Sequence, residues 1–156
     1  MEDLNKFYQD FMAQATEEAE LNDRHVEDVL TENIIEYIKE SNETNSLEII
    51  HIYPDSDAIK KKDSFKINAF DYSDIAGELD IFVSILKPSE KPENIPHNEI
   101  DATISQGMKF INLSVSGILS KMFRNSHPEF AEVADMIHEE YLAKNINLIR
   151  IFVLTN

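Results

Sequence analysis

The chain has 156 residues, 14 Lys and Arg against 30 Asp and Glu, a formal charge of −16 and no cysteine. One domain of that length buries roughly two thirds of its unfolded surface, and without cysteine there can be no disulfide, thiolate metal site or cysteine nucleophile. The negative charge opposes a phosphate backbone, no apolar run approaches the roughly 20 residues that span a bilayer, and the opening MEDLNKFYQDF is acidic where a secretory leader is basic and then apolar, so the reading is a cytoplasmic protein partnered by neither nucleic acid nor membrane.

Leu4, Phe7, Tyr8, Phe11, Met12, Ala15 and Ala19 recur at three- and four-residue intervals, which predicts an amphipathic helix over residues 3–20. A second helix, from about Val26 to Glu40, turns Val26, Leu30, Ile34, Tyr37 and Ile38 inward. LEIIHIY reads as a strand closed by Pro54. Lys60, Lys61, Lys62 and Lys66 follow; without arginine or interleaved aromatics they form a weak nucleic-acid signal and read as a solvated loop.

Phe65, Ile67 and Ala69, then Leu79, Ile81, Val83 and Ile85, alternate with their neighbours at period two. Between them SDIAG supplies residues that bond their own backbone or tolerate positive φ, so INAFDYSDIAGELDIFVSIL reads as a hairpin. Its second strand is apolar on both faces, which predicts a central strand covered on both sides. Three prolines make LKPSEKPENIPHN a connector. Helical spacing then returns from Glu99 through Met122, breaks at FRNSHP and resumes from Pro128 to about Lys144, and NINLIRIFVLTN closes the chain as a strand.

The order is helix, helix, strand, strand, strand, helix, helix, strand, a mixed α/β class with helices on both faces of the sheet. An antiparallel meander followed by a helical crossover should bring the last strand parallel to one of the first three. Residues 1–156 read as a single domain, and the stop directly on IRIFVLTN suggests the N-terminal domain of a longer protein.

Chemistry is concentrated in the hairpin carboxylates Asp71, Asp74, Glu78 and Asp80. Asp71, Asp74 and Glu78 suit a solvated turn, whereas Asp80 falls on the strand expected to be covered and there needs a partner: a capped backbone amide, a lysine or a metal. The five histidines are scattered, and His138 with Glu139 and Glu140 lacks the second histidine of HExxH. There is no GxSxG, P-loop or GxGxxG, and no nucleotide cofactor is implied. MKFINLSVSGILSKMF offers a Met- and Phe-rich face through which a homo-oligomer could form, but Met and Ile at helical spacing are more often buried, and that face is assigned to the core.

The opening DLNKFYQDF, the pattern VLTENIIEYI, the hairpin INAFDYSDIAGELDIFVS and the terminal IRIFVLTN together resemble the N-terminal domain of the bacterial abortive infection phage resistance protein family. That resemblance implies a role in bacterial defence against phage, with this piece as the leading domain; the acidic surface fits a noncatalytic module that acts through the rest of its own chain or a protein partner. The element order is also similar to the restriction-endonuclease-like core of the PD-(D/E)XK nucleases, whose carboxylates hold Mg²⁺ or Mn²⁺ while a lysine supports the attacking water. Asp71 and Asp80 would then be the metal-binding and catalytic carboxylates, with Glu36 as a helper. The motif is broken where Asn68 replaces an expected aspartate and Phe82 stands two residues after Asp80 in place of the lysine, unless Lys66 or Lys87 reaches in from a neighbouring position.

Overall fold

Period-two alternation from Ile67 to Ile85 folds as the predicted hairpin, β2 (Ile67–Ser73) and β3 (Glu78–Ile85), and Gly77 N–H donates to the Ser73 carbonyl at 2.8 Å in its turn. Gly77 takes φ +66°, and a Cβ there would lie 2.3 Å from the Asn145 carbonyl oxygen, so the position admits a side chain neither in conformation nor in space. The computed structural model describes residues 2–42, 46–52, 64–87, 89 and 91–156. Lys60, Lys61, Lys62 and the expected strand end at Tyr53 and Pro54 lie outside the described residues.

β1 (Glu48–Ile52) pairs antiparallel with β2, and β4 (Leu148–Thr155) runs parallel to β3, in the order β1-β2-β3-β4. The last strand therefore returns parallel to one of the first three, and β3 is an interior strand, as its doubly apolar sequence requires. β4 reads equally apolar yet takes the edge of this sheet, with Leu148 and Phe152 exposed.

Helices cover both faces. On one, Phe70, Leu79, Ile81 and Val83 form the main core with residues of α3 (His97–Val115), α4 (Ile118–Phe123) and α5 (Pro128–Leu142), among them Phe110, Leu119 and Ile137. On the other, Ala69, Phe82 and Leu154 pack with Ile35 of α2 (Val26–Asn42). α1 (Glu2–Leu21) lies outside α2, joined to it through Tyr8, Met12, Ala15 and Ala19 against Val29 and Leu30. The class is mixed α/β, a four-stranded mixed sheet between helices.

The long helix expected from Glu99 to Met122 is divided in two. Gly117 adopts φ +73° after Val115 ends α3, and His138 Nδ1 donates to the Val115 carbonyl at 2.6 Å, meeting an acceptor the broken helix leaves open. The Met- and Phe-rich face divides with it: Phe110, Ile111, Leu119 and Phe123 are buried, while Met108, Ile118 and Met122 are about half exposed. The inward sets of the first two helices are also narrower than their periodicity suggests. Leu4, Phe7 and Tyr37 stand largely in solvent, because α1 meets only one side of α2 and α2 turns Val29, Leu30 and Ile35 to its neighbours. No helix among the described residues is long and apolar enough to cross a membrane.

Candidate functional site

Strand register decides what the hairpin carboxylates meet. Asp71 stands directly opposite Asp80 across β2 and β3, and Asp80 opposite Arg150 across β3 and β4, so the three form one row on the α2 side of the sheet. Arg150 grips Asp80 with both arms, Nε to Oδ1 at 2.7 Å and Nη2 to Oδ2 at 3.0 Å, and Nη2 also donates to Glu78 Oε2 at 2.8 Å. The Asp80 side chain is 17 % exposed, so the predicted need for a partner is met, and the partner is an arginine contributed by the far end of the chain. These carboxylates push the Arg150 guanidinium pKa up, first through the Asp80 hydrogen bond and charge. Beside it Phe82 and Phe152 stack 5.0 Å apart, with the Arg150 guanidinium 5.9 Å from the Phe152 ring centre.

Asp71 is less well served. Its Oδ1 is buried and has no hydrogen-bond partner among the described residues, and a second carboxylate stands opposite it. Glu36, the expected helper, is exposed on α2. The register thus brings Asp71 and Asp80 together. Lys87 pairs with Glu99 at 2.6 Å, and Lys66 directs its Nζ to the Ser84 carbonyl, four residues and about 13 Å along β3 from Asp80.

Lys66 belongs instead to a second polar cluster that sequence reading did not find. Its Nζ donates to Glu27 Oε1 of α2 at 2.6 Å and to the Ser84 carbonyl at 2.8 Å, and Ser84 Oγ donates to the same Glu27 oxygen at 3.1 Å. Asn68, fully buried, accepts from Ser84 N–H at 2.9 Å and approaches His51 Nδ1 at 3.3 Å. His51 Nε2 lies 3.2 Å from Glu32, Asp28 stands 3.6 Å from Nδ1, and Arg24 donates to Glu32. With the proton on Nε2, His51 donates to Glu32 and accepts from Asn68. Burial raises the Glu32 pKa, but the hydrogen bonds from Arg24 and His51 outweigh it and hold the carboxyl below its ordinary value.

This chain of bonds fastens the first half of α2 to β1, β2 and β3. Its members span Arg24 to Ser84, a separation no local spacing encodes; the available signal was Lys66 and Asn68, polar residues at a strand start expected to be buried. Asn68, where a nuclease of the PD-(D/E)XK kind would hold an aspartate, offers one neutral oxygen already accepting from Ser84. Among the described residues no three His, Asp or Glu side chains are placed to hold a metal ion together.

A sequence model described as the abortive infection phage resistance protein N-terminal domain matches residues 30–156. No curated protein and no solved structure matches the chain.

Proposed function

The chain belongs to the family of abortive infection phage resistance protein N-terminal domains, and from that membership we propose that it serves bacterial antiphage defence as a noncatalytic module of the cytoplasm. It acts by contact with the rest of its own chain or with a protein partner. The observation that carries the noncatalytic reading is the Arg150 clamp. Both oxygens of Asp80 are engaged by a guanidinium, which opposes a divalent cation at the same carboxylate, and Phe82 stands where a nuclease needs its lysine. The surface supports the contact reading: with 30 acidic against 14 basic residues the module repels nucleic acid and attracts basic protein surfaces. A native mass measurement on the longer protein lacking this module, mixed with the module itself, tests it. Association is expected, and its absence, together with no capture of a basic protein partner, would overturn the reading.

One observation favours a second reading, a divergent metal-dependent nuclease domain: the unpartnered Asp71 oxygen opposite Asp80. Calorimetric titration of Mg²⁺ and Mn²⁺ separates the two. Saturable binding lost in Asp80→Asn and in Asp71→Asn would favour the nuclease, whereas weak binding indifferent to both substitutions fits the noncatalytic module.

A further inference from the structure

Among the described residues, β4 leaves one side of its backbone unpaired at the sheet edge. Edge strands are ordinarily protected by lysine, proline, a bulge or a charge at the rim. LIRIFVLT contains neither lysine nor proline, and its register with β3 runs without a break from Leu148 to Thr155. Its single charge, Arg150, is drawn inward by Asp80 and Glu78. Beside the edge runs a mainly apolar groove of about 430 Å³, lined by Ile149 and Ile151 of β4 and by Met108, Ile111 and Asn112 of α3. Met108 is 53 % exposed over it.

We propose that this edge pairs antiparallel with the β4 edge of a second copy of the chain, with Ile151 on the twofold axis, joining two four-stranded sheets into one of eight strands. Three features select a second copy over a lone strand.

The first is self-complementarity. With Ile151 facing itself, Ile149 faces the second copy's Val153 and Leu148 faces its Leu154, while Arg150 faces the second copy's Phe152. Side chains opposed in this way lie on the same face of a continuous sheet, no like charges meet, and the one cation lands on an aromatic ring, as it already does within the chain. The second is the position of α3. The Cβ position of Gly107 lies 3.4 Å from both Val83 Cγ1 and Ile151 Cγ2, so α3 crosses above the line between β3 and β4. Across a β4–β4 junction the two α3 helices would then stand two strand spacings apart, about 10 Å, and packed helices lie roughly 8–10 Å apart. The third is level. Gly107 rests on Ile151, so the exposed Met108 next to it falls at the axis and meets its own copy across the groove. A single added strand would pair the backbone but leave Met108 without a facing helix. The pairing stands on β4 and α3 alone, and holds or fails independently of whether the module is catalytic.

Because the chain has no cysteine, introduced ones report the register without interference. Under mild oxidation Ile151→Cys is expected to yield a covalent dimer. Leu148→Cys is not, since its two copies would stand about 20 Å apart in the proposed register. The unmodified chain should sediment as a dimer, and Met108→Lys, a change at an exposed site, should return it to monomer with an unchanged circular dichroism spectrum. A monomer at tens of micromolar would overturn the proposal. So would cross-linking of Leu148→Cys as readily as Ile151→Cys, or slow amide exchange along the outer side of β4 in a monomer, which would assign the edge to another segment of its own protein.

Discussion

Lys66 Nζ sits between Glu27 Oε1 and the Ser84 carbonyl at 2.6 and 2.8 Å, on a side chain 15 % exposed. Lys66→Met keeps the length of the stem but takes the ammonium from the Ser84 carbonyl and leaves Glu27 Oε1 with the Ser84 hydroxyl as donor in a partly dry cluster. Since Glu27 retains some contact with solvent, the expected loss is about 1–2 kcal/mol, read as a lower urea midpoint at unchanged slope. Tyr72 is a second residue whose environment makes a measurable claim. Its hydroxyl donates to Glu140 Oε2 at 2.7 Å, and desolvation, followed by that hydrogen bond and the carboxylate charge, pushes its pKa up to about 12 from an ordinary 10.0. The protonated phenol is the form the fold prefers, so its stabilising contribution is complete below pH 10.0 and is lost as pH rises toward about 12. An ultraviolet titration should show a phenol ionising near 12, and that phase should vanish in Tyr72→Phe.

At the scale of elements the two glycines with positive φ make opposite demands on their neighbours. At Gly77 an added Cβ would fall 2.3 Å from the Asn145 carbonyl oxygen, and the Gly77 carbonyl itself accepts from Asn147 N–H at 2.7 Å, so the turn is locked to the segment entering β4. At Gly117 the nearest atom, His138 Cε1, is 3.4 Å away, an ordinary contact distance. Gly117→Ala should therefore cost about 1–2 kcal/mol, the left-handed strain alone, while Gly77→Ala adds a backbone clash and should lower the thermal midpoint markedly further. Equal losses at the two positions would mean that the turn relaxes and that the lock is loose. The same contrast explains what could be read beforehand. Each strand and helix announced itself by a local period, and the parallel return of β4 followed from the need for a crossover. The break at Gly117 did not, because apolar spacing continues through SVSGILS, and the His138 that meets the turn comes from a later helix. Nor did the Asp80 partner, since Arg150 lies 70 residues downstream and reaches it only through the register of β3 with β4.

For the whole molecule the governing quantity is a formal charge of −16. Its exposed ion pairs, such as Lys87–Glu99 and Arg124–Asp135, contribute about 0–1 kcal/mol each, and the half-buried ones are screened less, whereas the unbalanced negative charge repels itself over the entire surface. Raising the ionic strength from about 0.01 to 0.15 M shortens the screening length from roughly 30 to 8 Å. The thermal midpoint should therefore rise over that interval. The two associations proposed above must then respond in opposite directions. Pairing of two β4 edges brings like-charged bodies together around an apolar seam, so added salt strengthens it; contact with a basic region of the longer protein is driven by opposite charge, so added salt weakens it. Native mass spectra of the module mixed with the remainder of its chain, recorded at both ionic strengths, should show the homodimer gaining population as the mixed complex loses it. A homodimer that weakens with salt would place its seam on charged groups and away from Ile149, Ile151 and Met108. A mixed complex that strengthens with salt would show that the acidic surface is not what the remainder of the protein recognises.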